Sequence, residues 1–472
     1  MPQQTRATSA VIDFITTMRL ADVPAEAITI GKRCIIDGLG VMLAGSTAPA
    51  SRILRDQVLA GGTRAEATAI GPEPVRVSAA NAALLNGLSG HAHDFDDTQL
   101  STTADRIFGL LTHPTIPPLA AALAVGERQK ASGAQVLEAF MAGFEVECKI
   151  AESIHPNHYK KGFHSSGTVG TFGAMTATAR LLGLNREQLG HALAIAASLA
   201  SGIRVNFGTM TKPLHVGRAA QNGVTAAELA SRGFTGGGDA LDGPWGFFQV
   251  LSHGDGFDPD RIVPVLGNPH TIVKPGVSIK PYPCGVLGHP SMDAMRTLVV
   301  THDVKPEQIK AIRLRAGSNI LNPLRYGVAQ SELEAKFSPP FMLAAIALNR
   351  KAGIREFSDE FVRSAPVQAM MAKVTPVLDQ EIEAKGFEKI RSTVEVDLLD
   401  GRTLVQAADE RYRGGPDRPF TREDLQEKFT DCASEVLPAS AMSPVIDAVN
   451  SLESLDDIAG LIRLLSPAPA AR

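Results

Sequence analysis

The stretch SAANAALLNGLSGHAHDFDD (residues 78–97) decides the fold reading. Ala80, Leu84, Leu88 and His91 fall on one face at helical spacing, which predicts a helix ending near Asp94. That helix runs out into Asp94, Asp96, Asp97 and Thr98. Buried Asp, His and Lys are costly unless paired or put to use, so such an end is either a solvated, capping segment or one wall of a pocket.

The same texture recurs on both sides. Polar islands at THPT (112–115), KGFHSSGTVGTFG (161–173), TKPLHVGRAAQNG (211–223) and SIKPYPCGVLGHPSMDA (278–294) interrupt sequence rich in Ala, Gly and Leu. Helices are expected after Pro24, from Ile116-Pro117-Pro118, over 134–154, from the capping pair Asn185/Gln188 to Ala200, and over 214–232. Beyond about residue 270 the pattern changes. Residues 310–316 alternate apolar and basic, and 394–398 alternate apolar and acidic before an Asp400-Gly401 turn and a return strand at 403–407. Helices are expected between them at 340–349 and 359–373. After Gly414-Gly415-Pro416 helices resume, the first capped by Thr421, and SPAPAAR at the end reads as frayed. The expected class is mainly α: a large all-helical domain (1–275 and 413–472) interrupted by a smaller α+β lid domain (276–412).

Composition narrows the function. With 472 residues, 44% hydrophobic and 20% charged, the chain can bury more than one core. A net charge of −4 supplies no basic excess for nucleic acid, and no run of about eighteen apolar residues points to a membrane span. The four cysteines lie far apart without a CxxC, and the first residues lack a secretory pattern, so a reduced, cytoplasmic protein is expected.

The ordered motifs HDFDDT with THP, GFHSSGTVGTFGA, KPLHVGRAAQNG with GFTG, and KPYPC with a later His-x-x-x-Asp, together with FSPPFMLAA (337–345), resemble the MmgE/PrpD family over nearly the whole chain. That family includes 2-methylcitrate dehydratase, cis-aconitate decarboxylase and iminodisuccinate epimerase. The resemblance implies a helical domain with an α+β lid, a homodimer, no organic cofactor, and a small di- or tricarboxylate as substrate. It also implies catalytic roles for Asp94, His113, His164, Lys212 and Lys280.

Chemistry beside a carboxylate needs cations to hold charge and a group to move a proton, which suits Lys and His. His113 would bind a carboxylate or transfer a proton, with Asp94 aligning a His or Lys. His164 would serve as acid or base, Lys212 as a carboxylate clamp, and Lys280 as its counterpart from the lid. Thr98, Ser166, Arg204, His215 and His289 are candidate substrate contacts, and Arg325 and Tyr326 have no assigned role. The glycines 167, 170 and 173 suit close helix packing as well as a carboxylate cradle. His91-x-His93-Asp94 suggests a metal, yet no second cluster with ligand spacing completes it, so no metal is expected. Two departures matter: the segment QLSTTADRIFGLLT (99–112) is longer than the decarboxylase branch has, and Gly285 stands where that branch has a His. The expected reaction is therefore dehydration of a 2-methylcitrate-like acid, followed by epimerisation of a dicarboxylate and then decarboxylation. A noncatalytic carboxylate-binding protein is the remaining alternative.

Overall fold

The computed structural model describes residues 6–100, 110–155, 157–386 and 389–466. Most of the long 99–112 segment, and SPAPAAR from residue 467 onward, lie outside the described residues. The chain is mainly α. Helices Ala79–His91, Ile116–Gln129, Gly133–Ile154, Gly170–Leu182 and Thr211–Ser231 pack closely on one another. Small residues allow this. A Cβ on Gly217 would lie 2.5 Å from the Leu84 carbonyl oxygen, and one on Gly223 would lie 2.4 Å from the Met175 nitrogen. The helix backbones therefore touch where larger side chains would hold them apart.

The expected caps are present. Asn185 and Gln188 form a reciprocal box at Arg186–Leu199, and Thr421 with Asp424 does the same at Arg422–Ala433. The C-terminal helices join the N-terminal core, where Phe429, Cys432 and Val445 pack in one apolar cluster with Ile35, Leu39 and Leu119.

Strands Val374–Leu378, Ile309–Ala316, Ser392–Leu398 and Thr403–Ala407 form one sheet in that order. The first pair is parallel and the others antiparallel. Apolar residues alternate inward along the two central strands, beneath helices His289–Thr301 and Pro339–Asn349.

Two boundaries differ from expectation. The first helix stops at His91 because Asp94 takes a left-handed backbone (φ 51°), turning its side chain off the helix axis. The helix expected over 359–373 is two, Asp359–Arg363 and Ala365–Met371. Ser364 is extended between them, and Pro366, lacking an N–H, sits in the first turn of the second.

The Gly217 contact gives a test of the packing. Gly217→Ala is expected to cost about 1–3 kcal/mol through backbone displacement, read as a lower urea midpoint at unchanged m-value. A wild-type midpoint would contradict the close approach.

Candidate active site

The site is built on one carboxylate. Lys212 Nζ donates to Asp94 Oδ1 at 2.9 Å, and Lys280 Nζ donates to the same oxygen at 3.0 Å and to the Asp94 carbonyl at 2.8 Å. All three side chains are at most 5% exposed. Burial alone would raise the Asp94 pKa, but the Lys212 and Lys280 ammoniums hold it well below the usual carboxylate range. The lysines arrive from distant chain positions. Lys212 stands in the first turn of Thr211–Ser231, and Lys280 follows Ser278, which exchanges backbone hydrogen bonds with Thr98 at 2.9 and 2.8 Å. An ammonium has three N–H donors. Lys212 uses two, on Asp94 and on His91 Nε2 at 2.6 Å, and Lys280 uses two on Asp94. Among the described partners, each lysine keeps one N–H for an incoming anion.

Imidazoles surround this pair. His113 Nδ1 lies 2.8 Å from the Asp97 carbonyl, which only accepts, so the proton is on Nδ1. Its Nε2 lone pair then faces Asp94 Oδ1 at 3.8 Å. His164 is fully buried, its Nδ1 3.0 Å from His215 Nδ1 and its Nε2 without a hydrogen-bond partner among the described residues. Burial, then the Lys212 charge and the other imidazoles, push His164 well below an ordinary histidine, and burial with Lys212 pushes His215 down to about 4. Burial likewise lowers His113, against the pull of Asp96.

Other expected contacts are employed elsewhere. The Ser166 hydroxyl accepts the His113 backbone N–H at 2.9 Å, so it positions His113. The Thr98 hydroxyl donates to the Thr112 carbonyl. Arg204 stacks 3.8 Å over the Tyr159 ring and donates to its carbonyl, bracing a wall of the site. His289 begins its helix as Pro290 requires, and its Nε2 donates to the Cys284 carbonyl beside Tyr282. Tyr326 and Arg325 grip the loop before Lys212 by donating to the Phe207 carbonyl at 3.0 and 3.2 Å.

Sequence reasoning missed His91, Asp96, Tyr159, Phe207 and Lys336. His91 was legible as the last member of an apolar helix face and in the His91-x-His93-Asp94 pattern, but not as a partner of Lys212. Asp96 and Lys336 gave a weaker signal still. Lys336 Nζ donates to the Ala92 carbonyl at 3.1 Å and so secures the turn into Asp94.

His91, Asp94, Asp96 and His113 offer ligand atoms within 4.8 Å of one another, the second cluster that sequence spacing did not reveal. A cation there would have to displace two ammoniums from Asp94 and one from His91. The donor set fits lysine better than a divalent ion.

Asp94, His113, Lys212 and Lys280 line a cavity of about 30 Å³, room for only a few waters. Phe207, Val286, Leu287, Leu324 and Phe337 form an apolar wall, with Phe207 and Phe337 stacked at 5.6 Å. A much larger cleft of about 1010 Å³ lies on the other side of Phe95. It is lined by exposed charged residues such as Arg355, Glu423 and Asp431 and no imidazole lines it, so the chemistry belongs to the smaller cavity.

A helical chain that buries two lysines, a carboxylate and several imidazoles in and around one small cavity is built as an enzyme. Residues 9–260 match the MmgE/PrpD N-terminal domain and residues 282–453 the MmgE/PrpD C-terminal domain, and the chain belongs to that family. It is 29% identical to human cis-aconitate decarboxylase over 98% of this chain and 95% of that one. It is 24% identical to cis-aconitate decarboxylase of Aspergillus terreus (strain NIH 2624 / FGSC A1156), covering 97% and 96%. A cis-aconitate decarboxylase-like protein of Aspergillus oryzae is also 24% identical, with 97% of each chain covered. The chain is a lyase of this family. Among the described residues no helix is long and apolar enough to cross a membrane.

The depressed His164 pKa carries a sign. In the unfolded chain an imidazole protonates below about pH 6.5, whereas the folded site refuses the proton until much lower pH. His164's contribution is therefore complete above pH 6.5 and is lost as pH falls toward the folded pKa. The stability deficit of His164→Gln at pH 7.5 is expected to shrink by about 1.4 kcal/mol per unit below pH 6.5. Urea unfolding at pH 7.5 and 5.5 measures it, and a constant deficit would contradict it.

Proposed function

We propose that this lyase cleaves a bond at the carbon beside a carboxylate of a small di- or tricarboxylate, with decarboxylation of a cis-aconitate-like acid as the leading reaction. The observation that carries this is the pair of buried lysines, each with one N–H left, facing an apolar wall. Substrate carboxylates would take those two donors. The carboxylate to be lost would lie against Phe207, Leu287 and Phe337, where its charge is poorly solvated and neutral CO2 is not. The electron pair left on carbon would spread onto a neighbouring carboxylate held by Lys280, and Lys212 would return a proton to carbon. Full-length similarity to relatives named cis-aconitate decarboxylase supports this order of readings.

Dehydration of a 2-methylcitrate-like acid is the second reading, favoured by Gly285. A Cβ there would lie 2.8 Å from Leu324 Cδ2, so this part of the wall is apolar where an imidazole stands in the decarboxylase branch. Epimerisation ranks last, because it needs proton donors on two faces of one carbon and the cavity's Lys212, Lys280 and His113 gather around one carboxylate, Asp94.

A cavity of about 30 Å³ is too small for a tricarboxylate, so the sheet-bearing segment 276–412 is read as a lid on the helical domain. The Phe207–Phe337 stack and the Tyr326 latch are the contacts that would part. The homodimer and the cytoplasmic setting belong to the same proposal. Exposed Ile203 and Val205 support the former, and four unpaired buried cysteines the latter.

Proton NMR in heavy water, with cis-aconitate and 2-methylcitrate as separate probes, tests the reaction. Consumption of cis-aconitate with loss of one carboxylate and one deuterium gained on carbon is expected. A dehydrated product from 2-methylcitrate alone would establish the second reading, and inertness toward both and related polycarboxylates would overturn the proposal. Lys212→Ala and His164→Ala are each expected to lower turnover at least about 100-fold while remaining folded by circular dichroism. A wild-type rate in either would remove that residue from the mechanism.

A further inference from the structure

His91 and Asp96 do not line the cavity, yet they stand in contact behind Lys212. His91 Nδ1 lies 2.8 and 2.9 Å from the two Asp96 carboxylate oxygens, and His91 Nε2 lies 2.6 Å from Lys212 Nζ. Both His91 and Asp96 side chains are wholly buried. An imidazole with one proton can satisfy both contacts in only two ways. In one, Lys212 is an ammonium donating to Nε2, and Nδ1–H donates to an Asp96 carboxylate. In the other, Nε2–H donates to a Lys212 amine, and a protonated Asp96 donates to Nδ1.

We propose that Asp96, acting through His91, is the internal proton store of Lys212. Passage between the two states breaks a Lys212 N–H and forms His91 Nε2–H, then breaks His91 Nδ1–H and forms an Asp96 O–H. The three groups together carry no net charge in either state, so passage between them adds no net charge to the buried interior and takes no proton from solvent. Lys212 can therefore face the cavity as an acid or as a base. His91 and Asp96 are positioning residues, since they reach the substrate only through Lys212.

Burial biases the trio toward exchange. It lowers Lys212, with Asp94 opposing, and raises Asp96, with His113 opposing. The other charged or titratable groups facing these atoms are Asp94, Lys280, His113, His164 and His215, with the carboxyls of Asp37, Asp97 and Glu147 near Asp96. All of them remain unchanged in the variants below.

The proposal rests on Lys212 being the working cation of the cavity, and its first test needs no substrate. In protein labelled with 15N-histidine, the His91 resonances (assigned by their loss in His91→Gln) should show both ring nitrogens partly protonated on a neutral ring at pH 7. In Asp96→Asn, which accepts Nδ1–H but cannot take a proton, they should collapse to the Nδ1–H form. A single tautomer, unchanged by Asp96→Asn, would overturn the store whatever the enzyme's substrate.

The second test uses cis-aconitate turnover. Asp96→Asn and His91→Gln should each lower kcat about 100-fold with KM within about threefold. They should also move the pH dependence of kcat by at least about one unit, because Lys212 then exchanges protons with solvent alone. Folded variants with the wild-type kcat and pH profile, alongside an inactive Lys212→Ala, would overturn the store and leave the lyase reading standing. An active Lys212→Ala would instead sink the reading beneath it.

Discussion

The contact on which the site depends is the Asp94 carboxylate held between two ammonium groups. Alone in a low-dielectric interior, each of these charges would be costly. Together, with the Asp94 carbonyl as a further acceptor, they sustain two cations where no solvent helps. Much of the nearby backbone serves that contact. The left-handed turn at Asp94, the Lys336 donation to Ala92, and the Thr98–Ser278 pairing each fix one of its corners.

Packing supplies the rigidity this requires. Glycine and alanine let the helices around residues 84, 175 and 217 meet backbone to backbone, so the ends carrying His91 and Lys212 have little freedom. The sheet-bearing side meets this floor through Lys280 and Lys336, the Thr98–Ser278 pairing, the Phe207–Phe337 stack and two donors to the Phe207 carbonyl.

Much of this was legible in the sequence. Helical periodicity, capping pairs and the Asp400-Gly401 turn place most elements within a few residues, because each rests on local chemistry. Asp94, His113, Lys212 and Lys280 were also readable, since their motifs are ordered along the chain. What stayed hidden was direction. Ser166, Thr98, Arg204 and His289 are polar residues in the right islands, but their hydrogen bonds go to the frame around the cavity. His91 was hidden for the opposite reason: its helical register made it look like core, and although it is buried its two ring nitrogens meet Asp96 and Lys212. A one-residue turn, set by the φ of Asp94, separates these outcomes, and periodicity carries no record of it.

The most direct measurement is a crystal structure with tricarballylate, a tricarboxylate that lacks the double bond and hydroxyl needed for reaction. The ligand is expected between Phe207 and Phe337, with carboxylate oxygens about 3 Å from the Lys212 and Lys280 nitrogens. Tricarballylate found only in the wide cleft beyond Phe95, with both lysines still closed on Asp94 alone, would contradict it.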